Sequence, residues 1–90
     1  YMLYQNYPNP FNPVTKIRFD VKAKSKSQKA KIYLTVFDVT GQEVAVLVNA
    51  ELTPGTYEAE FDGSNYPSGI YFCKLETQDF SKSIKIILIK

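Results

Sequence analysis

The sequence predicts an all-β protein, an antiparallel β-sandwich of six to seven short strands. Apolar residues recur with a period of two in most segments, no segment carries the 3.6-residue period of a helix, and the breaks are rich in Gly, Pro, Asp and Asn. Ninety residues suffice for one domain, read as a lead-in over 1–13 and a sandwich over 14–90. Hydrophobic residues at 44%, with seven Tyr and six Phe, supply a two-layer core that a disordered chain would lack.

The lead-in is the least regular part. Asn6 to Pro13 holds Pro8, Pro10 and Pro13 beside Asn6, Asn9 and Asn12. Each proline removes a backbone donor and pushes its predecessor toward extended geometry. A rigid irregular segment is expected, with Tyr7 and Phe11 docking on the core and pinning it as a lid over one end.

Val14 to Val21 is the first strand, with Ile17, Phe19 and Val21 facing inward and Lys16, Arg18 and Asp20 outward. Lys22 to Lys31 holds five of the eleven basic residues, interspersed with Ser and Ala, and reads as a solvated loop or an anion-facing patch. The next strand points Ile32, Leu34 and Val36 one way and Lys31, Tyr33, Thr35 and Phe37 the other, and Asp38-Val39-Thr40-Gly41-Gln42 ends it in a turn.

Glu43 to Leu52 opens with the apolar run Val44 to Val48. Periodicity alone cannot assign such a run, but its β-branched content and short length favour a strand. After the turn at Thr53-Pro54-Gly55, Tyr57, Ala59 and Phe61 alternate with Thr56, Glu58 and Glu60. Asp62 to Gly69 is a loop by composition. Ile70 to Thr77 follows, with Tyr71, Cys73 and Leu75 on one face, and Thr77 to Phe80 reverses the chain. The last strand, from about Ser81 to Lys90, sets Ile84, Ile86 and Leu88 against Lys85, Ile87 and Ile89. Being apolar on both faces near its end, it is expected to lie centrally in its sheet or to await a partner that covers it.

Function is bounded by what is missing. A formal net charge of +2 is too small for a nucleic-acid footprint. No apolar run reaches the roughly 18 residues of a membrane-spanning helix, and Tyr1-Met2-Leu3-Tyr4 reads as a piece cut from a longer chain whose signal peptide, if any, lies upstream. A single cysteine, Cys73, cannot form an internal disulfide and reads as a small buried hydrophobe. With no His, no CxxC or HExxH and no phosphate-cradling loop, catalysis and cofactor binding find no residues to carry them. Glu58 and Glu60, about 7 Å apart by strand geometry, read as solubilising rather than as a glycosidase pair. Asp38, Asp62 and Asp79 lack calcium-loop spacing and read as turn initiators. Tyr33, Phe37, Ile70 and Phe72, set opposite the core positions, are the residues on which a carbohydrate-binding face would have to be built.

Several stretches together carry a resemblance. They are Tyr4-Gln5-Asn6-Tyr7-Pro8-Asn9-Pro10-Phe11-Asn12-Pro13, Ile17-Arg18-Phe19, the run Val36 to Val44, Pro54-Gly55-Thr56-Tyr57, Pro67-Ser68-Gly69-Ile70-Tyr71 and the terminal Lys85-Ile86-Ile87-Leu88-Ile89-Lys90. In this order the chain is similar to the type A C-terminal sorting domain of the type IX secretion system. That module is itself related to the immunoglobulin-like domain of the flagellar hook-capping protein.

The resemblance implies an immunoglobulin-like sandwich that catalyses nothing. It would sit at the end of a cargo protein, passing from the periplasm through the outer membrane to the cell surface or medium, and be removed on export. The implied partners are the type IX translocon or its shuttle components and an upstream cargo domain. The implied recognition residues are Pro67, Ser68, Gly69, Ile70 and Tyr71 with Lys85, Ile86, Ile87, Leu88, Ile89 and Lys90. Recognition is expected through edge pairing with the last strand or docking on Ile87 and Ile89, so that removing Ile86–Lys90 from a domain that stays folded abolishes export. The alternatives are a structural or assembly module, and a carbohydrate-binding sandwich appended to an extracellular enzyme.

Overall fold

A computed structural model describes residues 1–22 and 28–90, so the middle of the lysine-rich loop lies outside the described residues. Seven strands follow one another: β1 (Met2–Leu3), β2 (Val14–Val21), β3 (Ala30–Phe37), β4 (Glu43–Leu52), β5 (Gly55–Asp62), β6 (Gly69–Glu76) and β7 (Ser81–Leu88). They form a three-stranded sheet, β1-β2-β5, and a four-stranded sheet, β4-β3-β6-β7, with every strand pair antiparallel. The chain is a β-sandwich, as its alternation predicts.

The alternating positions meet between the sheets. Ile17, Phe19 and Val21 from β2 and Phe61 from β5 face Ile32, Leu34 and Val36 from β3, Tyr71, Cys73 and Leu75 from β6 and Ile84, Ile86 and Leu88 from β7, all buried. Burial pushes the Cys73 thiol up to about 12, since a thiolate there would lose its water without a compensating charge. Thr35 departs from the pattern. It lies on the outer face yet is buried, because β3 is a central strand and Thr35 is flanked in register by Val46 and Lys74.

Two bulges distinguish β4. Its register against β3 slips between Leu34 and Thr35 and again between Val36 and Phe37, and none of its residues is fully buried. One extra residue at each slip bends and twists a strand, which suits an edge.

The lead-in departs from expectation in two ways. Met2 and Leu3 pair with Asp20 and Phe19, so the first residues extend the three-stranded sheet. Phe11 is 1% exposed and packs edge-to-face on Phe61, whereas Tyr7 is 82% exposed. Tyr7 bridges Lys16 through its backbone, with both hydrogen bonds made. That pairing fixes the main chain and leaves the ring in water. Asn6 is the polar anchor: it is buried, and its amide donates to Thr15 Oγ1 at 3.0 Å and to the Pro8 carbonyl at 3.1 Å. Thr15 Oγ1 donates in turn to Pro8 O, which satisfies a polar cluster that would be costly if left unpaired.

Candidate functional site

The strand registers fix two ends of the sandwich. At one end lie Val14, Asp62, Gly69, Leu88 and Phe37; at the other lie Val21, Gly55, Glu76, Ser81 and Leu52. The turn Pro67 to Tyr71 and the terminal residues Leu88 to Lys90 share the first end. Tyr1 stacks on Phe80 of the β6–β7 turn, at the second.

The first end rests on aromatic side chains. Phe61 contacts Phe11, Tyr66 and Tyr71, and Tyr66 meets Tyr71 edge-on. Both tyrosines then use their hydroxyls to hold main chain. Tyr71 donates to the Pro67 carbonyl at 2.6 Å, the tyrosine corner of immunoglobulin-type sandwiches, and Tyr66 donates to the Val44 carbonyl of β4 at 2.8 Å. Burial, with the charge of Asp38 adding to it, holds the Tyr71 phenol above its ordinary value, so it stays a donor.

Aspartates shape the two loops beside it. Asp38 accepts from the Thr40 amide and hydroxyl and from the Gln42 amide, and these bonds hold its carboxyl below the usual range. Gly41, at φ 87°, completes that turn in a conformation other residues rarely adopt. Asp62 accepts from the Ser64 hydroxyl and amide, and these with the nearby Lys90 charge depress its carboxyl too. Gly63 cannot carry a side chain without displacing its neighbours: a Cβ there would stand 2.8 Å from Leu88 Cδ2 and 3.2 Å from the Pro13 carbonyl. Lys90 closes the end, its amide donating to Ser68 Oγ at 3.0 Å and its ammonium to the Ser64 carbonyl at 2.6 Å. A shallow groove of about 290 Å³ runs between the Asp38–Thr40 turn and the Pro67–Tyr71 turn.

The terminal strand is neither central nor open where it is most apolar. β7 is the outermost strand of its sheet. Along Lys85 to Ile89, however, its outer edge is taken by the lead-in: Gln5 Nε2 donates to the Lys85 carbonyl, Ile87 N to Asn9 Oδ1, Phe11 N to the Ile87 carbonyl and Ile89 N to the Phe11 carbonyl. The edge of this strand is therefore covered by the chain's own first segment, while its outer face, where Ile89 is 52% exposed, is not. Ile86 and Leu88 are core residues, 0% and 1% exposed, so deleting Ile86–Lys90 removes core along with any recognition residue.

Of the residues predicted for recognition, Tyr71, Ile86 and Leu88 are buried, while Pro67, Ser68, Gly69, Ile70, Lys85, Ile89 and Lys90 are exposed and Ile87 is half-buried. The structure brings the Pro67–Tyr71 turn and the Leu88–Lys90 segment together through the Ser68–Lys90 bond and the pairing of Gly69 with Leu88. On the outer face, Phe72 and Ile70 are exposed, and Phe37 and Tyr33 are half-buried, with the Tyr33 hydroxyl tied to Glu43 at 2.7 Å. Among the described residues no group of three or more His, Cys, Asp or Glu converges, and Glu58 faces Lys16 at 3.7 Å across the three-stranded sheet. Gln5, Asn9 and Ser64 were not legible as contributors, because an amide or hydroxyl in a Pro/Asn/Gly-rich stretch reads only as loop.

Fold and site define a small β-sandwich module whose two sequence motifs are locked together at one end. The chain matches the family described as the secretion system C-terminal sorting domain over residues 5–90. It belongs to that family, the sorting domains of type IX secretion. No curated protein matches the chain.

Proposed function

We propose that this domain is a non-catalytic address: it directs an upstream cargo from the periplasm to the type IX translocon or its shuttle and is removed on export. The observation that carries the reading is the separation of the ends. The Pro67–Tyr71 turn and the Lys85–Lys90 segment lie toward one end, and Tyr1 lies at the other. A chain preceding Tyr1 therefore leaves the domain far from the residues assigned to recognition. The closed edge narrows how those residues are read. Strand addition along Lys85–Ile89 would have to displace four hydrogen bonds to the lead-in and the buried Phe11, whereas contact with exposed side chains displaces nothing.

The test is a fusion of residues 1–90 behind a fluorescent protein with a periplasmic signal, expressed in a strain with an intact type IX system and in a translocon-null strain. The reading expects fluorescence in the medium or at the surface of the first strain only, with a mass loss corresponding to the tag. Periplasmic retention in both strains would overturn it.

A further inference from the structure

Resting on the sorting reading, we propose that the outer face of β6 and β7 is the docking surface, and that it takes an apolar protein surface of the export machinery edged with carboxylates. The register builds the patch. Phe37, Phe72 and Lys85 stand in one row across β3, β6 and β7, and Ile70 and Ile87 stand paired in the next row toward the motif end. Ile70 is 42% and Phe72 37% exposed, large values for side chains that would be core elsewhere. Grouped apolar exposure of this kind marks an interface more often than scattered single residues do.

Charge selects the occupant. Lys85 lies beside Phe72 across the strands and Lys74 two residues along β6 on the same face, so the patch is basic along β6 and β7. Glu43, in register with Phe37 and bonded to the Tyr33 hydroxyl, and Glu76, next along β6, bound it on the far sides. Among the described residues neither lysine has a carboxylate within 4.0 Å. A partner with acidic residues at the rim of an apolar contact complements both features, steering approach through the lysines and holding through the aliphatic and aromatic groups. The face adjoins the Pro67–Tyr71 turn, since Ile70 belongs to both.

The same fusion carries the test, with Ile70→Lys and Lys85→Glu on this face and Glu60→Lys on the opposite sheet as control. Thermal melting of each purified domain accompanies the export measurement. Lys85 is exposed, and among the described residues its side chain makes no hydrogen bond or ion pair, so its variant reports on docking even if Ile70→Lys melts early. The expected result is translocon-dependent export of the unaltered tag, a loss of about tenfold or more for Ile70→Lys, a several-fold loss for Lys85→Glu, and export by Glu60→Lys unchanged. Full export by both face variants would overturn the docking surface and leave the sorting reading standing. Failure of the unaltered tag to depend on the translocon would overturn both. Binding of the purified domain to vesicles of anionic lipid, lost in Lys85→Glu, would place a membrane on this face and overturn the protein partner.

Discussion

The four-stranded sheet ends in two edges that are treated differently. β7 contributes Ile84, Ile86 and Leu88 to the core and has its outer edge bonded to the lead-in from Lys85 to Ile89. β4 contributes no fully buried residue, and among the described residues its outer edge receives only the Tyr66 hydroxyl. It is guarded by two bulges and by Glu43 and Glu51. An exposed row of unpaired backbone groups invites a foreign strand, and bulges and charges discourage it without covering it. The strand with fully buried residues is covered, and the one whose Val44, Ala45, Leu47, Val48 and Leu52 are only partly buried against the core is merely guarded. Position in the sheet thus sets neither burial nor openness; what lies against the edge does.

Removing the anchor of the cover should have the largest effect. Phe11→Ala leaves a cavity against Phe61 and frees the segment that bonds Ile87 and Ile89, and is expected to cost about 3–5 kcal/mol in urea unfolding, a large part of a small domain's stability. A loss under about 1 kcal/mol would mean that the lead-in is an ornament on an edge that holds itself. The next comparison sets the two strands side by side: Ile86→Ala should cost about 2–5 kcal/mol and Val46→Ala, at a half-exposed position on β4, under about 1 kcal/mol. Equal losses would erase the contrast. Asn9→Ala removes one bond to the Ile87 amide while keeping Phe11 in place, and should cost about 0.5–1.5 kcal/mol.

The smallest effect is electrostatic. Asp20 accepts from the Tyr4 hydroxyl of the lead-in and from Thr56, and these bonds lower its carboxyl; Asp38 and Asp62 are lowered by their own turns. A carboxyl whose folded value lies below its unfolded value adds stability above the unfolded value and loses it as pH falls through the folded one. Melting temperature should therefore hold near neutrality and fall below about pH 4. Asp20→Asn should blunt part of that fall, and an unchanged acid profile would argue that the Tyr4 bond does not brace the lead-in.

The contrast also shows what the sequence could disclose. Alternation placed Ile17, Leu34, Cys73 and Ile86 inward because a strand offers only two faces, and one register error would have exposed all of them. The run Val44 to Val48 was legible as a strand through its β-branched content, but its bulges were not, since a bulge is a mismatch with a partner strand. The cover on the edge of β7 is illegible for a related reason: the strand is outermost in its sheet, not central, and its edge partner lies far off in sequence. Apolarity on both faces signals a need for cover, yet nothing in Ile87 or Ile89 tells that Asn9 and Phe11, nearly the whole chain away, close the edge while the outer face stays open. Phe11 and Tyr7 looked alike as docking rings, and only the bridge between Tyr7 and Lys16 decides that Tyr7 points to solvent. Of the recognition residues, their clustering at one end follows from antiparallel order, whereas the Lys90 contacts to Ser64 and Ser68 depend on loop paths that composition leaves open.

The closed edge is tested most directly by amide hydrogen exchange along β7 in the folded domain at neutral pH. The Ile87 and Ile89 amides, bonded to Asn9 and Phe11, should exchange as slowly as those of the buried strands, while the Lys85 amide on the same edge, without a partner among the described residues, should exchange fast. Fast exchange at all three would show an open terminal strand and contradict the account.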